Sequence, residues 1–173
     1  MSLFQKIFGE AKQRAGLDPL YRAVVARGRD PAWYRAGVPD TLDGRFDMVA
    51  AVLALVLLRL EGAGEAGRGP SVLLTEIFVD DMDGTLRQIG VGDYVVGKHV
   101  GRMMGALGGR LGAFRDARGS RGALAGAVRR NIFHESPPSA EAVETVAARL
   151  ERFAAALDSE SLETLLGGAL PAL

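Results

Sequence analysis

Residues Met48 to Leu58 form an unbroken run of eleven apolar side chains, closed at its ends by Asp47 and Arg59. A run with no polar position has no face to offer water, so the rest of the chain must wrap it on every side. It is too short to cross a bilayer, which takes roughly twenty such residues. It is longer than a usual strand and poor in β-branched residues, so helix is preferred over buried strand. With its flanks it predicts a central buried helix over Arg45–Leu60. The chain has 173 residues, enough to enclose such a helix in one domain, and 48% of them are hydrophobic, which places it among folding rather than disordered chains.

The remaining segments supply the wrapping. Met1 to Gly16 places Leu3, Phe4, Ile7, Phe8 and Ala11 on one side and Lys6, Lys12 and Arg14 towards the other. This predicts a peripheral helix over residues 1–16 beside a helical body over 17–173. It is not read as a secretory signal, because it lacks a continuous apolar core and a cleavage site. Asp18-Pro19 reads as a new helix start, with Asp as cap and Pro at the first helical position. Leu20 and Val24 face inward, and Gly28 and Asp30-Pro31 end that helix. A short turn with Trp33 and Tyr34 follows, over Pro31–Ala36. Gly62 to Pro70 is glycine-rich and reads as a flexible loop between two helices. It does not read as a phosphate loop, since no Gly-Lys-Ser/Thr follows. Gly119-Ser120 breaks the chain before a helix from about Arg121 to Phe133. Ser139 caps a helix with Val143, Val146, Leu150, Phe153 and Leu157 in register. Asp158-Ser159 reads as the cap of a last short helix carrying Leu162, Leu165 and Leu166. No stretch alternates as a strand does. The expected fold class is all-α, a single compact domain of about seven helices around the central one.

Glu76 to Val100 reads as helix, tight turn, helix. Ile77, Phe78, Met82, Leu86 and Ile89 recur at helical spacing. Gly90 and Gly92 are the turn-forming residues, and Asp93 is placed to cap the second helix. Glu76, Asp80 and Asp83 share one face, with Arg87 a turn below Asp83 as an i,i+4 pair. Within this stretch Asp80-Asp81-Met82-Asp83, then Leu86-Arg87, Gly90-Val91-Gly92-Asp93, Val96 and Lys98, resemble the ubiquinol–cytochrome c chaperone family. The similarity is strongest from Ile77 to Arg110 and extends loosely over about Trp33 to Asn131. The chain departs from the family where an aromatic pair usually precedes Gly-Arg, for here the residues are Leu107-Gly108-Gly109-Arg110. The resemblance implies a helical, non-enzymatic factor for assembly of the cytochrome bc1 complex. It implies binding of newly made cytochrome b or another bc1 subunit, and in mitochondrial relatives a partner protein and proximity to the ribosome. On this reading Asp80, Asp83, Arg87, Asp93, Lys98, Arg102 and Arg110 are the candidate partner-binding residues.

Other chemistry is poorly supported. The chain has no cysteine, which excludes disulfides, thiolate zinc sites and cysteine nucleophiles and fits a reducing, cytoplasmic setting. His99 and His134 are the only histidines and stand in separate elements, whereas a zinc hydrolase needs three protein ligands and a base. Asp80 and Asp83 share a face but Asp81 does not, so a solvated acidic face is preferred over a metal site. Met82, Met103 and Met104 read first as core filling, and second as an adaptable surface for apolar clients. Neither a cofactor nor a small-molecule substrate is expected.

Net charge is zero but uneven. Lys98 to Arg130 holds eight Lys/Arg against Asp116 alone, between two segments of seven acids each, Glu61–Asp93 and Glu135–Glu163. The basic middle is read either as pairing within the chain or as a face for RNA, anionic lipid or an acidic partner. An RNA- or ribosome-binding module over 98–130 is therefore the alternative reading. The same stretch, with the Leu3/Phe4/Ile7/Phe8 side, predicts weak, salt-sensitive contact with an anionic membrane at its periphery. The helix after Asp93 also carries Gly97, Gly101, Gly105, Gly109 and Gly112 on one stripe. Each glycine weakens an exposed helix by up to about 1 kcal/mol against alanine. The expected compensation is close approach by a neighbouring helix, in preference to a membrane dimer motif, since Lys98, His99, Arg102 and Arg110 interrupt any apolar span.

Overall fold

The computed structural model describes the backbone of residues 3–88, 93–134 and 138–173, with side chains for all of these except 3–12, 86 and 93–96. The described residues form eight α-helices and no strand. The fold is all-α. α3 (Leu42–Glu61) lies at its centre and touches α1 (Leu3–Gly28), α4 (Glu65–Gln88), α5 (Asp93–Asp116), α6 (Arg121–Ile132) and α7 (Ala140–Ser159). Every residue from Asp47 to Leu58 is buried, as the apolar run requires. Thr41 starts α3 by accepting from the Gly44 amide at 3.0 Å, three residues before the predicted start. At its far end the Arg59 guanidinium donates to the carbonyls of Leu157 (3.0 Å) and Glu160 (2.8 Å). These acceptors lie at the end of α7, so the charge that closes the apolar run also ties down a neighbour.

α1 differs from its expectation. It runs from Leu3 through Pro19 to Gly28 as one helix, rather than restarting at Asp18-Pro19. An interior proline costs about 3 kcal/mol. Leu17, Leu20 and Val24 are buried around it, and each buried aliphatic side chain contributes roughly 1.5–3 kcal/mol. The packing therefore outweighs the broken turn. At its end α1 crosses α3 so closely that a Cβ on Gly28 would lie 2.6 Å from the Val49 Cα. α2 (Pro31–Arg35) follows, capped by Asp30, and buries Trp33 with its indole nitrogen donating to the Arg27 carbonyl at 2.8 Å.

The glycine-rich stretch is also mostly helix. Only Gly62–Gly64 turn, and α4 begins at Glu65. The cause is contact: a Cβ on Gly67 would lie 1.8 Å from the Leu60 carbonyl oxygen, so the first turn of α4 rests directly on the end of α3. Flexibility inferred from composition is overridden by this approach. α7 starts at the predicted Ser139 cap. It continues to Ser159, so α8 (Leu162–Leu166) is capped by Ser161 rather than by Asp158-Ser159.

A buried ion pair joins three helices. The Arg110 guanidinium of α5 donates to the Asp47 carboxylate of α3 and, at 2.6 Å, to the Asn131 carbonyl of α6. Both side chains are almost wholly buried. Arg110 also lies over the Phe46 ring, 5.8 Å from its centroid. Burial pulls the Arg110 guanidinium below its ordinary range, while Asp47 acts the other way.

These contacts predict two stability results. Leu53→Asp places an unpaired carboxylate at a fully buried site, which costs several kcal/mol. A domain of this size has about 5–15 kcal/mol of stability. The variant is expected in the insoluble fraction, and a soluble variant melting like the parent would show that α3 is not central. Asp47→Ala strands a buried guanidinium and is expected to cost about 3–5 kcal/mol in urea unfolding. Asp47→Leu combined with Arg110→Met removes both charges and should recover much of that loss. If the double variant is as unstable as the single one, the pair is not the source.

Candidate partner-binding face on α4 and α5

The sequence-predicted residues divide between surface and interior. On α4, Asp83 and Arg87 form the predicted i,i+4 pair, exposed, at 2.7 Å. Asp80 is also at the surface, where its carboxylate receives the Arg14 guanidinium of α1. Asp81 accepts from the Tyr21 hydroxyl at 2.7 Å. Burial, then the bond to Asp81, holds that phenol well above its ordinary range. The three carboxylates therefore serve three different donors, on α1 and on α4 itself. On α5, Lys98 is exposed, and Arg102 lies against the His99 ring. Arg110 is inside, held by Asp47, and presents no surface charge. Its spacing from Lys98 and Arg102 did not reveal this, because Asp47 sits in a remote segment. Gly90 and Gly92 lie outside the described residues. So does the side chain of Asp93, whose backbone begins α5.

The basic middle of the chain is partly spent on internal pairs. Arg115 donates to Glu61 at 2.8 Å, Arg118 to Asp158 at 2.9 Å, and Arg121 to Glu151. With Arg110, half of the eight basic residues between Lys98 and Arg130 meet acids of this chain. The pairing reading thus accounts for much of the charge segregation, and a continuous basic strip for nucleic acid is correspondingly reduced.

The glycine stripe does something the sequence reading did not anticipate. A Cβ added at Gly97, Gly101, Gly105, Gly108, Gly109 or Gly112 would meet no atom within 4 Å. No helix of the chain approaches this side of α5 among the described residues. Leu107, Arg110 and Phe114 turn inward and set the rotation of the helix, which leaves the glycines facing outward. Beside the stripe, α4 and α5 flank a trough of about 580 Å³ over the end of α3. Leu57, Val72 and Leu111 are among its apolar lining, and Val72 is 54% exposed. Its charged rim includes Glu61 and Glu65, taken by Arg115 and Arg68 respectively, and Glu76, which has no ion pair among the described residues. Of the acidic row only Glu76 lines the trough, and on α5 its lining residues Leu111 and Arg115 flank Gly112 in sequence. This arrangement suits a helix rather than a reacting small molecule.

A second cleft of about 760 Å³ opens where α1 to α5 converge. Phe46, Val49, Met82 and Met103 line it, with Arg29 and Arg35 among its charged residues. Met82 packs partly against the core, yet it and Met103 both reach this cleft, so the two readings of the methionines meet here. Among the described residues no His/Asp/Glu group is placed to hold a metal ion, and no helix is long and apolar enough to cross a membrane.

Comparison with known proteins gives the family and the fold. No curated protein matches the chain. The crystal structure of the Cbp3 homolog from Brucella abortus is similar to it over 99% of this chain and 97% of the other, with a TM-score of 0.81 and 27% identity. The family model described as ubiquinol-cytochrome C chaperone matches residues 35–172, well beyond the Trp33–Asn131 span of the motif resemblance. The chain belongs to the ubiquinol–cytochrome c chaperone family.

Proposed function

We propose that the chain is a non-enzymatic assembly chaperone of the cytochrome bc1 complex that holds newly made cytochrome b through the α4–α5 face. The observation that carries this reading is the outward glycine stripe. Its glycines lower helix stability and serve no packing within the described chain, because nothing lies within 4 Å of the missing Cβ positions. A bare stripe lets a second helix approach at backbone distance, as small residues do between membrane helices. The adjoining trough receives the apolar side chains of that helix. The row Glu76, Asp80 and Asp83 meets the basic loop residues next to it, and such pairing favours orientation and encounter more than affinity. Asp93, Lys98 and Arg102 flank the same face. Contact with the membrane is peripheral, through the client and weakly through the exposed bases Lys98, Arg102, Arg129 and Arg130.

The reading predicts a separation of stability from function. Gly101→Ala with Gly105→Ala should raise the melting temperature, since each exchange favours the helix by up to about 1 kcal/mol. Recovery of cytochrome b with the tagged chaperone from a native membrane extract should nevertheless fall. Asp83→Ala with Arg87→Ala should leave melting almost unchanged, a surface pair being worth under about 1 kcal/mol, and should also lower recovery. Unimpaired recovery with both variants would remove this face from the client site. Failure of the parent chain to recover cytochrome b would remove the client itself.

For the membrane, flotation with anionic liposomes should be partial at low salt and lost at high salt. Neutralising Lys98, Arg102, Arg129 and Arg130 should abolish it. Flotation that persists unchanged in that variant would assign lipid contact to the N-terminal apolar side instead.

A further inference from the structure

The cleft at the convergence of α1 to α5 has features that client binding on the α4–α5 face does not use. Its body is apolar: Val25, Phe46, Val49, Met82 and Met103 come from four different helices. Phe46 is fixed from behind by Phe78, with ring centroids 5.9 Å apart, and by Arg110 over its face. The floor is therefore part of the core rather than a loose surface. The volume, about 760 Å³, lies within the range of about 300–1,000 Å³ typical of sites for single small molecules. Leu42, on the lining, is 65% exposed, an apolar side chain left in water at the edge of an apolar pit.

The charges around it are not balanced once the internal pairs are taken out. Arg45 is held by Asp40 at 2.6 Å, and that bond keeps the Asp40 carboxyl below the usual carboxylate range. Asp81 is engaged by Tyr21. His99 faces Arg102. The side chains of Arg29 and Arg35 are exposed and make neither hydrogen bond nor ion pair among the described residues, and that of Asp43 is the one acid of the lining left in the same condition. Two uncommitted guanidiniums beside an apolar pit match a ligand with an apolar body and an anionic head. Guanidinium forks bind carboxylate or phosphate oxygens in pairs, which lysine does not do as well.

We propose that this cleft binds a single-chain amphiphile with an anionic head, a fatty acid or a lysophosphatidate, with Arg29 and Arg35 on the head and the chain lying over Phe46, Val49, Met82 and Met103. The site is separate from the α4–α5 face and does not depend on the client reading.

The test is calorimetric titration of the intact chain with laurate, lauroyl lysophosphatidate and uncharged monolaurin, each below its micelle concentration. Saturable binding of one molecule per chain is expected for the two anions, and the tighter of them identifies the head. Monolaurin should bind at least about tenfold more weakly, the scale of one lost charge-assisted hydrogen bond. Arg29→Ala with Arg35→Ala should bring both anions down to the monolaurin level, and these exposed positions should leave melting unchanged. Met103→Trp, which fills the cleft, should weaken all three at least tenfold, with thermal melting confirming the fold. Asp43→Asn should not weaken the anions. The proposal is overturned if the three ligands bind alike, if the double arginine variant binds like the parent, or if no ligand saturates. Loss of cytochrome b recovery in Met103→Trp without any amphiphile binding would likewise overturn it and give the cleft to the client.

Discussion

The ion pair between Asp47 and Arg110 lies at the junction of α3, α5 and α6, and the orientation of α5 depends on it. Desolvating two charges is expensive, and apolar residues of similar size often serve stability as well or better. What the pair adds is register. Arg110 reaches the carboxylate of α3 and the Asn131 carbonyl of α6 only when one side of α5 faces the core. Leu107 and Phe114 share that side and are buried with it. On a helix of 3.6 residues per turn, fixing that side also fixes what points away from it. Here those positions are glycines. The interior pair therefore bears on which face α5 shows to solvent, although Arg110 itself is buried.

Much of the architecture was legible because it rests on patterns local to one segment. The eleven-residue apolar run could only be central, and it is. Ser139 capping α7, and Val143 to Leu157 in register behind it, needed no tertiary information. Asp83 and Arg87 met because i and i+4 are neighbours on any helix. The failures share a cause. Pro19 and the stretch from Gly62 to Pro70 are breakers by composition, but distant packing decides them: Leu17, Leu20 and Val24 on the core, and Gly67 on Leu60. Arg110 read as surface because its acid is 63 positions away. A charge immediately before the apolar run was the available signal, since a residue at the edge of a wholly buried helix must find a buried partner.

The glycine stripe marks a face of α5 on which no other helix rests among the described residues. Periodicity states that a face is special, but not whether its neighbour belongs to the same chain. For a soluble helix that distinction decides the energetics. A glycine pressed against a helix of its own domain recovers its lost propensity as packing. These glycines gain no such contact among the described residues. α5 is accordingly less stable alone than it would be with alanines. A helix bound alongside would supply the missing contact, so α5 gains stability at the moment of association.

The charge distribution follows the same division between internal use and external display. Arg115, Arg118 and Arg121 cross to Glu61, Asp158 and Glu151, which lie in α3 and α7. Exposed pairs of this kind contribute little to stability, but they remove positive potential from the α5–α6 side. Among the described residues Glu76 has no ion pair beside the trough, and Arg29 and Arg35 have none at the other cleft. The two openings therefore differ in sign as well as in shape. A basic-flanked apolar helix is favoured at the first, and an anionic head at the second. In a chain with zero net charge this difference arises because the internal pairs cancel selectively, leaving opposite charges without an ion pair among the described residues at two separate apolar openings.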